Sequence, residues 1–206
     1  DANTTADNNA AFGYQALSAN TTGTDNIAMG HNALATNSTG NDNTAVGDQA
    51  LSTNATTNSN TAFGSGALAT SVGSNNTAVG ASALTANTTA NNNVAVGTNA
   101  LSTNTTGASN VAVGHDALVA STTSSNNTAV GYAALTSNTT GQYNVAVGAY
   151  ALDLSTTTSN NTAVGYNAMT ATVGADNAAL GYSTLANNTT GAENVAVGAL
   201  ALDANT

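Results

Sequence analysis

Several acidic residues recur at one fixed spacing, which makes them the first candidates for chemistry. Asp25 and Asp42 are 17 residues apart, and so are Asp176 and Glu193. If each pair stacks in a repeating structure, like charges that close favour a bridging cation, and oxygen ligands suit Ca²⁺. The alternative, which we favour, is a solvated and screened acidic edge. These four residues are the only metal candidates, and no other cofactor is predicted.

Histidine and tyrosine side chains share one place in the sequence, directly after a glycine. His31 and His115 both lie there, but five repeats apart, or about 24 Å if repeats stack at the spacing of strands, so they cannot share a metal ion within one chain. Four tyrosines occupy the same place: Tyr14, Tyr132, Tyr166 and Tyr182. Their rings could stack on sugars and bind a glycan. The alternative is that they are ordinary exposed aromatic residues of a turn.

No catalytic constellation stands out from the repeated background. The sequence contains no phosphate-binding loop and no EF-hand pattern, and no Ser/His/Asp set is separable from the repeats. We therefore expect no enzyme activity. Paired threonines recur as well and resemble the threonine arrays of ice-binding solenoids, but adjacent threonines in a turn should point in different directions.

The element that must position these residues is a repeat of 17 residues, typified by Asn144-Val145-Ala146-Val147-Gly148. Twelve copies run through the chain, and we number positions from the glycine as position 0. Every copy has asparagine at −4 and alanine at −2, and most have valine at −1 and Ala-Leu at +3 and +4. Two coils, which end at Gly80 and Gly181, are one residue shorter. A period this regular predicts stacked coils that contact only their neighbours.

The composition limits the possible partners. The 206 residues include no Lys, Arg, Pro, Cys or Trp, and ten acids give a formal net charge of −10. Nucleic acid and anionic membranes are held mainly by Lys and Arg, so neither is an expected partner, and no apolar run is long enough to span a membrane. The uniform composition predicts a single array over residues 1–206. The two short coils lie 101 residues apart and imply a six-coil super-repeat, so that the sequence would be an excerpt of a longer fibre.

The pattern within one coil predicts an all-β parallel solenoid. Residues −4 to −1 form a strand, the glycine a corner, Ala-Leu a second short strand, and Asn-Thr-Thr-Gly the return turn. We expect valine at −1 and leucine at +4 inside the coil. An amide ladder is predicted at Asn43, Asn93, Asn110, Asn127, Asn144 and Asn161. The alanines, which should point away from the valines, are predicted to form an interface between chains at Ala45, Ala95, Ala112, Ala129, Ala146 and Ala163.

The repeat resembles the head repeats of trimeric autotransporter adhesins, as in the segments Asn93-Val94-Ala95-Val96-Gly97 and Asn110-Val111-Ala112-Val113-Gly114. Its sequence is also similar to the Asn-Thr-Ala-Val-Gly arrays of phage tail fibres and bacterial surface fibres. The resemblance covers every coil. It implies a left-handed parallel β-roll, commonly trimeric, on a cell or virion surface.

The function expected from these observations is that of a structural subunit or shaft of an extracellular fibre, which associates with itself as a trimer or filament. The alternative is a ligand-binding adhesin head or a receptor-binding segment of a phage tail fibre, which would bind a glycan or a host surface. An ice-binding surface is a third interpretation.

Overall fold

The fold was obtained as a computed structural model that describes residues 6–204. The array predicted over 1–206 also takes in residues 1–5 and 205–206, which lie outside the described part. Each coil contributes one three-residue strand. In chain order the strands are β1 Ala10–Phe12, β2 Ile27–Met29, β3 Thr44–Val46, β4 Thr61–Phe63, β5 Thr77–Val79, β6 Val94–Val96, β7 Val111–Val113, β8 Thr128–Val130, β9 Val145–Val147, β10 Thr162–Val164, β11 Ala178–Leu180 and β12 Val195–Val197.

The strands form one parallel sheet in which each strand pairs with the strand that follows it in sequence. The register places like positions side by side, so that Ala95 is opposite Ala112 and Ala112 is opposite Ala129. The short coils keep this register, since Thr61 is opposite Thr77. The predicted all-β parallel solenoid is confirmed. Within residues 6–204, no helix is long and apolar enough to cross a membrane.

The glycine at position 0 is required by both conformation and space. Gly114 has a φ of 139°, which side chains of L-residues rarely allow, and a Cβ there would lie 2.3 Å from the carbonyl oxygen of Gly131 in the next coil. The same contact recurs from Gly13 to Gly181. The coils therefore approach one another through a column of bare backbone.

The second strand predicted at Ala-Leu is wrong, because this segment consists of turns. The carbonyl of Gly114 accepts a hydrogen bond from the N–H of Ala117, and the carbonyl of Leu118 accepts one from the N–H of Ser121. Leu118 has a φ of 52°, and both Ala117 and Leu118 are fully buried. Adjacent residues of a strand point to opposite faces, whereas this left-handed conformation turns both side chains inward.

The interior of each coil is lined by alanine at −2, alanine at +3 and leucine at +4. In the coil of β7 these are Ala112, Ala117 and Leu118, all with no exposed surface. The predicted leucine is thus inside, but the valine at −1 is not, since Val113 points outward and is partly exposed. The coil is too narrow for a branched side chain on the inward face of the strand.

The alanine interface is therefore wrong as well. The alanines Ala45, Ala95, Ala112, Ala129, Ala146 and Ala163 are all fully buried within their own chain, and none can contact another copy directly. Their small size is explained by the narrow interior. Position −1 accepts Val, Phe, Met and Leu, and this tolerance of size is the sequence signal that it faces outward.

A column of buried asparagines at −4 joins successive coils. The N–H of Asn110 donates to Oδ1 of Asn93 at 2.9 Å, and the N–H of Asn127 donates to Oδ1 of Asn110 at 3.0 Å. Nδ2 of Asn110 donates to the carbonyl of Ser124, in the return turn that leads to the next coil, at 2.8 Å. Equivalent bonds are made by Asn43, Asn93, Asn127, Asn144 and Asn161. The ladder uses main-chain donors as well as side-chain amides.

A second buried polar column lies at position +7, in the return turn. Nδ2 of Asn104 donates to Oδ1 of Asn87 at 3.1 Å and to the carbonyl of Gly107 at 2.9 Å. In the next coil this column holds Ser121, whose hydroxyl bonds to that of Ser124 instead, at 2.6 Å. Oδ1 of Asn104 is consequently buried without a partner. Asparagine at +7 is usually followed by glycine three residues later, where a Cβ would crowd the amide oxygen.

Gly114→Ala is expected to destabilise the chain by about 3 kcal/mol or more, because the methyl group meets a carbonyl oxygen that belongs to the adjacent backbone. Gly66→Ala is the matched control. Gly66 also has a positive φ, of 67°, but its Cβ would have 3.9 Å of clearance and Ala133 occupies the same position in another coil. This control should cost less than about 1 kcal/mol. Chemical denaturation of both variants measures the difference, and equal losses would contradict the steric explanation.

The double variant Ser121→Asn/Ser124→Gly is expected to stabilise the chain by about 0.5–1.5 kcal/mol, since the new amide reaches the unpaired Oδ1 of Asn104. Ser121→Asn alone should gain less, because the side chain of Ser124 fills the space that glycine leaves open in other coils. A double-mutant cycle on denaturation midpoints measures this coupling. Additive single effects would show that the two positions are independent.

Candidate functional site

The outward strand face is an apolar surface that runs along the array. We define it as positions −3 and −1 of strands β1 to β12, which point away from the coil because the strand's central alanine points inward. Position −1 is apolar in every strand, and position −3 holds Thr, Val, Ile or Ala. In the middle of the sheet these side chains are partly exposed, as Val96 and Val113 are, and Phe63 is 56% exposed.

No charged residue interrupts this face. The acids lie at other positions of the coil, such as −5 for Asp42 and Asp176, +1 for Asp48 and +2 for Asp116. The face is a row of parallel strands in continuous register, so its side chains form two columns. Such a surface suits another flat, uncharged surface and offers nothing to a charged ligand.

A shallow recess marks the face near its C-terminal end. It has a volume of about 190 Å³ and lies around Ala178, with Thr162, Leu180 and Val195 among its lining residues. The recess exists because Ala178 stands at a position where neighbouring strands carry larger side chains. Its walls are almost entirely apolar and contain no group suited to catalysis.

A second surface, the corner aromatic stripe, consists of Tyr132, Tyr150, Tyr166 and Tyr182, with His115 stacked at one end. Ring centroids of successive members are 5.5, 5.3, 6.0 and 5.7 Å apart from His115 to Tyr182. Tyr166 and Tyr182 are stacked with an angle of 7°, whereas Tyr150 meets Tyr132 and Tyr166 edge to face. Aromatic pairs of this kind contribute about 0.5–1.5 kcal/mol each beyond their burial.

Ring stacking reduces the aromatic surface that the tyrosines predicted to bind a glycan can offer to a sugar. A sugar stacks on an aromatic face, and stacking engages one face of Tyr166 and of Tyr182 with each other and one face of Tyr14 with His31, at a centroid distance of 5.6 Å. The rings are still about half exposed or more, and glycan binding by them stays a prediction. Tyr150 was not predicted as a member of this surface, because it lies at position +2, outside the column of the other tyrosines.

The two histidines lie beside carboxylates on the surface. Nδ1 of His31 is 2.8 Å from Oδ1 of Asp48, and Nδ1 of His115 is 3.0 Å from Oδ2 of Asp116. About half of each histidine side chain is exposed, so these contacts are screened by water. They are local pairs at a corner and do not form a relay.

The calcium candidates Asp25, Asp42, Asp176 and Glu193 occupy one exposed column at −5, where each residue has a positive φ. Oδ1 of Asp25 accepts a hydrogen bond from Nδ2 of Asn8 at 3.0 Å. Across residues 6–204, no group of three or more His, Cys, Asp or Glu side chains is placed to hold a metal ion. Calcium binding stays a prediction without a preformed site.

The threonines of the return turn are used within the solenoid. At position +8, the hydroxyl of Thr105 donates to the carbonyl of Thr122 in the next coil at 2.9 Å, and Thr88 bonds to Thr105 in the same way. Its neighbour Thr106, at +9, is exposed. The two threonines thus have different environments, and the column at +8 is not a free hydroxyl array.

Asp153 is an acid that sequence reasoning did not single out. Burial raises the pKa of its carboxyl group, although the N–H groups of Leu154 and of Asp153 itself lower it in part. Most other coils carry a small uncharged residue, Ser, Ala or Thr, at this position, +5. Ionisation of the Asp153 carboxyl therefore lowers the free energy of unfolding by a moderate amount.

Comparisons with protein-family models, with curated proteins and with solved structures found no match for this chain. What the chain does must be inferred from its own surfaces.

Asp153→Ser is expected to stabilise the chain near pH 7 by less than about 1 kcal/mol, and to have little effect near pH 3. The pKa in the folded state is raised above the unfolded value, so the carboxyl favours folding most when protonated, and stability falls as pH rises from 3.8 through the folded pKa. Asp153→Ser has no carboxyl group at this position, so its stability does not fall with pH for this reason. The unfolding free energies of both proteins, measured from about pH 3 to 7, should diverge as pH rises. A difference that does not depend on pH would contradict burial as the cause.

Proposed function

We propose that this chain is a segment of the shaft of an extracellular or surface fibre, and that copies associate side by side through the outward strand face. The observation that carries the proposal is that this face is continuous and uncharged over twelve strands. A homotrimer or a filament built in this way replaces the predicted contact through the alanines.

Charge favours this face over the rest of the surface for self-association. The chain has ten acids and neither Lys nor Arg, so two copies cannot form opposite-charge contacts through these side chains. Surfaces that carry acids, such as the column of Asp42 and Asp176, repel their counterparts. A contact between copies is best placed where no acid lies, and the outward strand face meets this condition.

The size of the face is sufficient for a specific contact. Twelve strands at a spacing of about 4.8 Å give a length of about 58 Å, and three residues give a width of about 10 Å. Two such faces in contact bury roughly 1,200 Å² in total, without the extra area of protruding side chains. This area is at the lower limit of specific protein interfaces. Each further coil of the same kind would enlarge the contact in proportion.

The proposed mechanism is mechanical rather than catalytic. Each coil is joined to the next by main-chain hydrogen bonds and by the asparagine ladder, as between Asn110 and Asn127. A tensile load along the axis would be shared among these bonds, and the array can lengthen by adding coils without changing any one of them. We propose that the fibre lies outside the cell or on a virion surface.

An ice-binding surface is a second candidate, and one observation favours it. Outward positions −3 and −1 in β5 to β10 hold only Thr and Val, so their branched side chains form a regular array. Thermal hysteresis measured on soluble protein would support this use of the face. For an adhesin head or a receptor-binding segment, the exposed tyrosine rings are the candidate contact, and stacking already engages one face of several of them.

Replacing Val96, Val113 and Val130 together by Asp is expected to abolish self-association while the coil remains folded, because all three side chains point outward and are only partly buried. Sedimentation analysis should show a shift from oligomers to monomers. Electron micrographs should show the loss of lateral contacts between rods.

The matched control is Thr106→Asp/Thr123→Asp/Thr140→Asp, which adds the same charges to an exposed column of the same three coils. Its oligomeric state should equal that of the wild type. If wild-type protein is monomeric at high concentration, or if both triple variants behave alike, the outward strand face is not the contact.

A further inference from the structure

The corner aromatic stripe concentrates tyrosines in one part of the array. Four of the chain's six tyrosines lie in four consecutive coils, and every neighbouring pair has ring centroids within 6.0 Å. Tyr150 belongs to the stripe although it stands at position +2 and not at +1. The other two, Tyr14 and Tyr143, lie outside it, and Tyr14 is stacked on a histidine.

We propose that this stripe is a site of oxidative cross-linking, in which neighbouring tyrosines of one chain are joined as dityrosine by a one-electron oxidant such as a haem peroxidase with hydrogen peroxide. The proposal does not depend on the proposed fibre function. It rests on the ring distances and on exposure, since Tyr132, Tyr166 and Tyr182 are 48, 47 and 56% exposed and are open to an oxidant.

Tyr132 and Tyr150 are the closest pair of the stripe. The rings of Tyr132 and Tyr150 are 5.3 Å apart and meet at an angle of 72°. Burial raises the pKa of the Tyr150 phenol, and the neighbouring Tyr132 raises it further. The carbons that join in dityrosine are those next to the hydroxyl-bearing carbons, and rings with centroids 5.3 Å apart can bring these carbons together by rotation about the side-chain bonds.

The chemistry balances with one molecule of peroxide for each cross-link. Two phenols each lose one electron and one proton to give two phenoxyl radicals. These radicals form one carbon–carbon bond between ortho carbons, and each ortho carbon then releases its hydrogen as a proton while the phenol is restored. Hydrogen peroxide accepts two electrons and two protons and becomes two waters. Proximity makes this coupling first-order within the chain and largely independent of protein concentration.

A cross-link here would tie one coil to the next outside the hydrogen-bonded backbone. Tyr132 and Tyr150 are 18 residues apart, so the bond closes a loop of about one coil. A covalent closure of this kind restricts the unfolded chain and opposes local unwinding.

The test is treatment of purified protein with a haem peroxidase and hydrogen peroxide over a series of protein concentrations. We expect dityrosine fluorescence whose yield per chain does not change with concentration, in protein that remains monomeric on denaturing gels. Digestion by a protease that cleaves before aspartate separates Tyr150 from Tyr166 at Asp153. Mass spectrometry should then show a two-hydrogen loss within the peptide of Tyr132 and Tyr150, or a link across Asp153.

Tyr150→Phe/Tyr166→Phe keeps the aromatic rings but leaves Tyr132 and Tyr182 three coils apart, and should lower the intramolecular yield by at least about tenfold. The control Tyr14→Phe/Tyr143→Phe removes the same number of phenols and should keep it. The proposal is overturned if dityrosine forms only between chains, with a yield that rises with concentration, or if the two double variants lose it equally.

Discussion

Main-chain hydrogen bonding between successive coils is the constraint on which the rest of the structure depends. It runs beyond the three-residue strands into the turns, where the N–H of Leu118 donates to the carbonyl of Ala134 at 3.0 Å. Because every coil must present the same donors and acceptors to its neighbour, the backbone path is nearly identical from coil to coil. The glycine column allows the backbones to approach this closely. The side-chain oxygens of the asparagines at −4 accept hydrogen bonds from main-chain N–H groups that strand pairing does not satisfy.

The same constraint explains why the coil is so narrow and its interior so small. A path of 17 residues with one short strand and two tight turns encloses little more than two alanines, a leucine and two polar columns. Leucine at +4 adopts a left-handed conformation in coil after coil, an uncommon state for this residue. Its full burial and its hydrogen bonds to the next coil offset that cost. Polar side chains take part in the interior because most of them have fixed hydrogen-bond partners within their own coil or one coil away.

A coil that encloses so little must leave its larger apolar side chains outside. The outward strand face and the corner aromatic stripe are both products of this geometry, because stacking converts one residue per coil into a continuous column. Each surface repeats one kind of chemical group along the array instead of combining several. The first suits association between uncharged faces, and the second brings phenols within reach of one another.

The sequence by itself determined the solenoid, its period, the glycine corner and the inward leucine. Identical spacing of Asn, Ala and Gly in twelve copies is compatible only with coils that stack in register, and stacking in register requires parallel strands. Only the tertiary structure decided which strand face lies inside. A three-residue strand alternates in the same way for either choice, and hydrophobicity favours placing Val113 inside and Ala112 outside. The width of the coil reverses this, because the turns at Ala117 and Leu118 send both side chains inward and leave room for no more than a methyl group on the strand. Tyr150 joins the stripe for a similar reason: its neighbours lie one coil away in space, and position +2 projects toward the same corner as position +1.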